Sequence, residues 1–160
     1  KNYCTTIRTL NQKLEHRVDT NLLVYTYDHA DPAKQQRATK WLAFLWRSGR
    51  GRLSTQILNE FYAVVTQKLK PKLDKASARE DVEELMKWQP LIIDPQVIRQ
   101  AWTVQDKFGF SWWDSLIVAS AQLAGCQYLL SEDLQHQQQL HNVKVINPFL
   151  VSPEKIADQT

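Results

Sequence analysis

Four acidic residues stand where their carboxylates could act together on a metal ion or a phosphate. Asp19 and Asp133 each follow a short apolar run that predicts a strand, and Glu60 and Asp114 lie on the apolar stripes of predicted helices. Two carboxylates about 4 Å apart repel by on the order of 4 kcal/mol at an effective dielectric constant of 20, so four require compensation. A hard divalent cation such as Mg²⁺ or Mn²⁺ supplies it, because oxygen ligands select such ions over zinc.

Each of these acids also has a simpler interpretation when it is taken alone. Ser111 and Asp114 have the Ser-x-x-Asp spacing of a capping box, and an acid in the first turn favours the helix dipole. Asp19 alone is typical of a turn, Glu60 of a solvated helix start, and Asp133 of a polar loop. The hypothesis of a metal site therefore depends on the four acids together.

Strands and helices alternate along the chain, and this order predicts how the acids are positioned. Alternation favours an α/β fold in which a short parallel sheet carries helices on both faces. In such a sheet ligands bind beyond the carboxyl ends of the strands, where Asp19 and Asp133 are expected. The predicted strands end at Asp19 and cover 52–54, 91–93, 128–130 and 143–146; the predicted helices cover 32–48, 55–70, 74–87, 95–108 and 111–125.

Composition favours one folded domain. The chain has 160 residues, of which 43% are hydrophobic, and a formal net charge of +3. It contains neither an apolar stretch long enough to span a membrane nor a signal-peptide run, so a cytoplasmic protein without membrane contact is expected. Cys4 and Cys126 are too far apart in sequence to suggest a disulfide framework or a zinc knuckle.

Basic residues are concentrated in one part of the chain. Residues 33–75 hold ten bases against two acids, a charge of +8, so the remainder carries 3 − 8 = −5. A block of this kind is typical of a phosphate-binding face, and a solvated helix surface also explains it.

The ordered set of motifs resembles the PIN-domain ribonucleases, and most closely the VapC-type toxins of bacterial toxin–antitoxin pairs. The resemblance covers residues 18–150, with the four acids in the order and spacing of that family. The matching segments are 18–25 (VDTNLLVY), 59–61 (NEF), 111–117 (SWWDSLI) and 130–136 (LSEDLQH).

This resemblance implies a three-layer PIN-like fold and a set of roles for individual residues. Asp19, Glu60, Asp114 and Asp133 would be the catalytic, metal-binding acids for Mg²⁺ or Mn²⁺. The residues that would support them, by holding ligand carboxylates or the loop after the first strand, are Thr20, Asn21 and Ser131.

The resemblance also implies an activity and partners. The activity is endonucleolytic hydrolysis of RNA that leaves a 5′-phosphate and a 3′-hydroxyl, and no histidine or nucleophilic serine is required for it. RNA would lie across the basic block, with Arg47, Arg50 and Arg52 as backbone contacts. A cognate antitoxin protein and a homodimer are implied by the resemblance alone.

The start of the chain departs from the family pattern. His16 and Arg17 stand where apolar residues normally precede the first aspartate, so a truncated first strand is expected. Residues 1–17 are therefore assigned to an extra N-terminal segment or a cloning remnant, 18–150 to the PIN domain, and 151–160 to a C-terminal tail.

Other functions remain as alternatives. The strongest is a non-catalytic PIN-like module that binds RNA or serves as an adaptor, although clustered anions do not favour binding to a phosphate backbone. A haloacid dehalogenase-type phosphatase would need an aspartate where Asn21 stands, and a dinucleotide-binding fold would need a glycine-rich first turn. His136 and His141 are predicted to be surface residues, and Trp112 and Trp113 to be core or dimer contacts rather than base-stacking platforms.

Overall fold

A computed structural model describes residues 15–157, which contain seven helices and five strands. The strands are β1 (His16–Val18), β2 (Gly51–Arg52), β3 (Tyr128–Leu130), β4 (Gln139–Leu140) and β5 (Val143–Ile146). The helices are α1 (Thr20–Tyr25), α2 (Pro32–Ser48), α3 (Thr55–Gln67), α4 (Lys75–Met86), α5 (Pro95–Phe108), α6 (Trp112–Leu123) and α7 (Pro153–Ala157). None of these helices is long and apolar enough to cross a lipid bilayer.

The strands form one sheet in the order β2-β1-β3-β5-β4, parallel except for β4, which pairs antiparallel with β5. In the central register Val18 lies beside Leu130, and Leu130 lies beside Ile146. The backbone N–H of Asp19 continues the ladder to the Leu130 carbonyl at 3.2 Å. The predicted parallel sheet is confirmed, and Asp19 leaves it at the carboxyl end of a central strand.

Side-chain caps define where α5 and α6 begin. The Asp94 side chain accepts a hydrogen bond from the Val97 N–H at the start of α5. The Ser111 hydroxyl accepts one from the Asp114 N–H at the start of α6. Both predicted starts are confirmed, because the capping residues satisfy N–H groups that have no partner within the helix.

The prediction of a buried strand at 91–93 is wrong. Leu91 makes a single parallel bridge to Ser54, and the next residue, Ile92, is 69% exposed. Asp94 then caps α5, so the segment is too short to extend the pairing. The sequence also missed β4, which has only two residues and follows a polar glutamine-rich stretch.

Both ends of the described chain pack against the domain. Strand β1 begins at His16, inside the segment assigned to the N-terminal extension, and its residues are buried. At the other end, Ile156 of α7 is buried, and the Trp41 indole N–H donates to the carbonyls of Pro148 and Val151. Residues 1–14, which include Cys4, and residues 158–160 lie outside the described chain.

Candidate functional site

Asp19 is buried at the carboxyl end of β1, with 5% of its surface exposed. It is also the N-cap of α1, and its Oδ1 accepts a hydrogen bond from the Thr20 N–H at 2.6 Å. The Ser131 hydroxyl, which directly follows β3, donates to Oδ2 at 2.8 Å. Neighbouring parallel strands therefore bring the predicted ligand and a predicted supporting residue into contact.

The electrostatic environment links Asp19 to two further carboxylates. Burial raises the pKa of Asp19 to about 7; hydrogen bonds from Ser131 and Thr20 oppose the rise, and the charges of Asp133 and Asp114 add to it. Partial burial, followed by the charges of Glu132 and Asp114, also raises the pKa of Asp133. The charges of Asp114 and Asp133 thus act on Asp19, although 114 − 19 = 95 and 133 − 19 = 114 positions separate them from it in the chain.

Asp133 is held by the two supporting residues that the sequence identified near it. The Asn21 amide donates to Asp133 Oδ2 at 2.8 Å, and the Asp133 N–H donates to the Ser131 hydroxyl at 3.2 Å. Ser131 therefore joins Asp133 to Asp19, and Asn21 joins it to α1. These contacts restrict the loop after β3 as well as the carboxylate itself.

Glu60 reaches the same region from α3. Thr20 Oγ1 donates to Glu60 Oε2 at 2.6 Å, and Gln56 Nε2 donates to Glu60 Oε1 at 2.8 Å. The same Gln56 amide also donates to the carbonyl of Trp113, the residue before Asp114, at 3.3 Å. Sequence reasoning missed Gln56, and the available signal was its position one turn before Glu60 on the same helix face.

Lys34 is a second residue that sequence reasoning missed. Its ammonium group forms an ion pair with Glu132 Oε2 at 2.7 Å and lies 4.7 Å from the centre of the Tyr25 ring. Hydrogen bonds to Glu132 and Tyr25 raise the pKa of Lys34, and the charge of Lys34 opposes the rise in the pKa of Asp133. This contact brings the N-terminal end of α2 to the carboxylates, and no local sequence pattern announces it.

The donor set suits a hard divalent cation in its chemistry, because four carboxylates offer oxygen ligands only. Between residues 15 and 157, however, no group of three or more His, Cys, Asp or Glu side chains stands in a metal-holding arrangement. Glu60 in particular has both carboxylate oxygens engaged by Gln56 and Thr20. Convergence on one ion would require side-chain rotation and the exchange of some of these hydrogen bonds for metal ligation.

The predicted RNA-contacting arginines are not brought to the carboxylates. The His16 N–H donates to the Arg50 carbonyl, and Arg52 pairs in register with Arg17 and forms an ion pair with Glu15. These contacts place Arg50 and Arg52 beside the amino-terminal half of β1, whereas Asp19 follows its carboxyl end. Arg47 lies in the last turn of α2. RNA binding by these arginines stays a prediction.

The histidines and tryptophans singled out from the sequence have varied surroundings. His141 is exposed as predicted, whereas His136 is half-buried and its Nδ1 accepts a hydrogen bond from the Asn147 N–H. Trp112 packs against the core, and Trp113 is 61% exposed. The contacts described for these side chains do not join them to the four acids.

Solved structures with this fold include bacterial toxin–antitoxin complexes. The FitAB complex bound to an IR36 DNA fragment gives a TM-score of 0.63 at 20% identity over 86% of this chain and 97% of that one. DNA-bound VapBC from Salmonella typhimurium gives 0.59 at 16% identity, over 83% and 97% of the two chains. Mycobacterium tuberculosis VapC20, a sarcin–ricin loop cleaving toxin, gives 0.54 at 15% identity, over 72% and 87%.

Similarity of overall shape shows the fold alone, whereas a match to a family model shows the family. No curated protein sequence matches this chain significantly. The PIN-domain model matches residues 17–140, a range that begins inside β1 and includes all four acids together with Thr20, Asn21 and Ser131. The chain therefore belongs to the PIN-domain family.

Proposed function

We propose that this protein is a metal-dependent endoribonuclease that hydrolyses RNA phosphodiester bonds, and that it is the toxin of a type II toxin–antitoxin system. PIN domains are typically nucleases and generally use divalent metal ions. The observation that supports the proposal most is the set of hydrogen bonds at the carboxyl edge of the sheet, where Ser131 joins Asp19 to Asp133; the charge of Asp114 acts on both of these carboxylates. Such a toxin would act on RNA in the cytoplasm.

The four acids would hold Mg²⁺ or Mn²⁺, which would compensate their charge. The chemistry such an ion supplies is activation of an attacking water and neutralisation of charge on the scissile phosphate and leaving oxygen. The chain's own residues orient the ligands: Ser131 fixes Asp19, Thr20 fixes Glu60, and Asn21 fixes Asp133. Hydrogen bonds of this kind set the direction in which each carboxylate presents its remaining lone pairs.

The proposed partners are a cognate antitoxin and a second copy of the chain. Two of the structural relatives are VapBC complexes and a third is FitAB, and all three are bound to DNA. Co-expression with a small protein encoded beside this one is expected to suppress RNA cleavage by the purified complex. Cleavage that is unchanged in a stable complex would contradict an antitoxin role for that partner.

A non-catalytic RNA-binding or adaptor module is the second candidate. It is favoured by the engagement of both Glu60 oxygens and by the absence of a preformed group of three ligands among residues 15–157. The two candidates differ in one respect: only the nuclease needs the carboxylates to converge on an ion.

Cleavage of end-labelled single-stranded and hairpin RNAs distinguishes these candidates. Wild type and Asp114→Asn are compared in Mg²⁺, Mn²⁺ and a chelator, with Asp106→Asn as the matched control because Asp106 is exposed on α5. We expect metal-dependent cleavage by wild type and Asp106→Asn and none by Asp114→Asn. A folded wild type that binds RNA but never cleaves it with either metal would favour the binding module.

A further inference from the structure

A basic groove lies between α2 and α7, apart from the four acids. Its volume is about 320 Å³, and its charged lining residues are Arg37 and Lys40 from α2 and Lys155 from α7. Gln36, Ser152 and the exposed Leu150 complete most of the remaining wall. A cavity of this size with three cations suits a group that is small, polar and anionic.

The three cations are available to a ligand. Arg37, Lys40 and Lys155 are all exposed, and none of them forms an ion pair within the part of the chain that the structure describes. Glu154 is the acidic neighbour on α7, where it interacts electrostatically with Lys40 and with Arg47. One carboxylate against three cations leaves the groove positive.

Lys34 and Phe149 lie between the groove and the carboxylate site. Lys34 forms an ion pair with Glu132, the residue before Asp133, and its ammonium group lies 5.1 Å from the centre of the Phe149 ring. The groove begins with the adjoining residues, since Leu150 follows Phe149 and Arg37 lies one turn beyond Lys34 on the same helix face. At 1.5 Å per residue, Arg37 and Lys40 stand about 4.5 and 9 Å beyond Lys34 along the helix axis.

We infer that this groove binds backbone phosphates of the RNA strand on one side of the cleavage position. The inference rests on the proposed function. Cations close to the clustered carboxylates are the ones best placed to hold a strand that is cut there, and the row Lys34, Arg37 and Lys40 on α2 begins at the ion pair with Glu132, beside Asp133. Arg50 and Arg52 are less suited, because they flank the opposite end of β1 and Arg52 is paired with Glu15.

Phosphate contacts of this kind would fix the path of the strand without selecting its sequence. They would also weaken with salt, because each phosphate that a cation neutralises releases a counterion. Lys155 adds a cation from a second helix, α7, which lies in the C-terminal segment 151–160.

The test measures the binding of a single-stranded RNA oligonucleotide to the full chain, in chelator, across a range of KCl concentrations. The variant replaces Arg37, Lys40 and Lys155 with alanine. Its matched control replaces Lys72, Lys75 and Arg79, three exposed cations in and before α4, and has the same net charge. We expect the groove variant to bind about tenfold more weakly, with a log–log salt slope smaller by about 2, and the control to keep the wild-type slope.

Two results would overturn the inference while leaving the proposed function intact. One is an unchanged slope in a folded groove variant when wild type binds and cleaves RNA; the other is an equal loss in both triple variants, which indicates only the general field of the protein. A wild type that neither binds nor cleaves any RNA would overturn the inference and the proposed function together. Replacement of the same three residues with glutamine repeats the test if the alanine variant fails to fold.

Discussion

Two buried charged residues, one within strand β1 and one directly after it, have different surroundings. Arg17 is 1% exposed, and its guanidinium donates to the Ser120 carbonyl at 2.9 Å and interacts with Cys126. Asp19, two residues later, is 5% exposed and is influenced by the negative charges of Asp114 and Asp133. Burial acts against the charged form of both, since it lowers the pKa of Arg17 and raises the pKa of Asp19.

The two differ in the charges that act on them. Arg17 donates to the Ser120 carbonyl and is favoured by the charge of Glu15, although the like charge of Arg52 opposes it and its Nε and Nη1 have no hydrogen-bond partner among the described residues. Asp19 accepts hydrogen bonds from Thr20 and Ser131, but the charges that act on it are those of two other aspartates, an arrangement that weakens the fold unless something else gains from it. We therefore expect changes at Arg17 to affect folding, and changes at Asp19 to affect activity without loss of stability.

The largest effect is expected from Asp19→Asn. We expect cleavage to fall by more than about 100-fold, because loss of a residue that only orients a metal ligand already costs about 10–100-fold. Initial cleavage rates in Mg²⁺ at matched folded concentration measure this. Activity near that of wild type would mean that Asp19 has no role in catalysis, despite its position.

Arg17→Ala is expected to have the opposite effect. It removes one of the two hydrogen bonds that the Ser120 carbonyl accepts, the other coming from the Ala124 N–H, and opens a cavity in the core, which should lower the free energy of unfolding by about 2–4 kcal/mol. Cleavage by the fraction that remains folded should be nearly unchanged. Urea unfolding followed by circular dichroism measures the first quantity, with the exposed Arg99→Ala as the control. A stable Arg17→Ala variant that has lost cleavage would contradict the distinction between a structural Arg17 and a functional Asp19.

A smaller effect is expected from Thr20→Val, which removes the hydroxyl that donates to Glu60 and keeps the shape of the side chain. The expected loss of cleavage is about 10–100-fold, with most of it recovered in Thr20→Ser. The apparent affinity for Mg²⁺ should fall in the valine variant, a change that a purely structural role would not produce. Equal activity in the valine and serine variants would remove Thr20 from the site.

The smallest effect concerns stability and pH in a chelator. The pKa of Asp19 is about 7 in the folded chain against an ordinary value of 3.8, so the folded state binds more protons than the unfolded state between these values. Stability should therefore fall as pH rises through this window, and the Asp19→Asn variant should lack that part of the fall. Above pH 7 we expect the variant to be more stable by about 1–2 kcal/mol, less than the full shift because asparagine loses one acceptor. Parallel pH profiles for the two proteins would contradict this.

Local sequence patterns were enough to predict most of the helices and strands and to single out the candidate acids. Asp94 and Ser111 predicted the starts of α5 and α6, because a cap depends on N–H groups within a few residues. The 91–93 segment was mispredicted for the complementary reason. An apolar run of three residues does not reveal whether a neighbouring strand continues beside it, and Ile92 in fact faces solvent.

The sequence by itself determined the alternation of strands and helices, the caps, and which acids follow strands or lie on inward helix faces, since these depend on neighbours along the chain. Only the tertiary structure decided that Arg17 is buried against Ser120, that Gln56 joins Glu60 to Trp113, and that Lys34 stands at the carboxylates. It also placed Arg50 and Arg52 beside the first residues of β1 and grouped Arg37 and Lys40 with Lys155 around one groove. Such contacts join residues far apart in the chain, so their distances and burial exist only once the sheet and helices have packed.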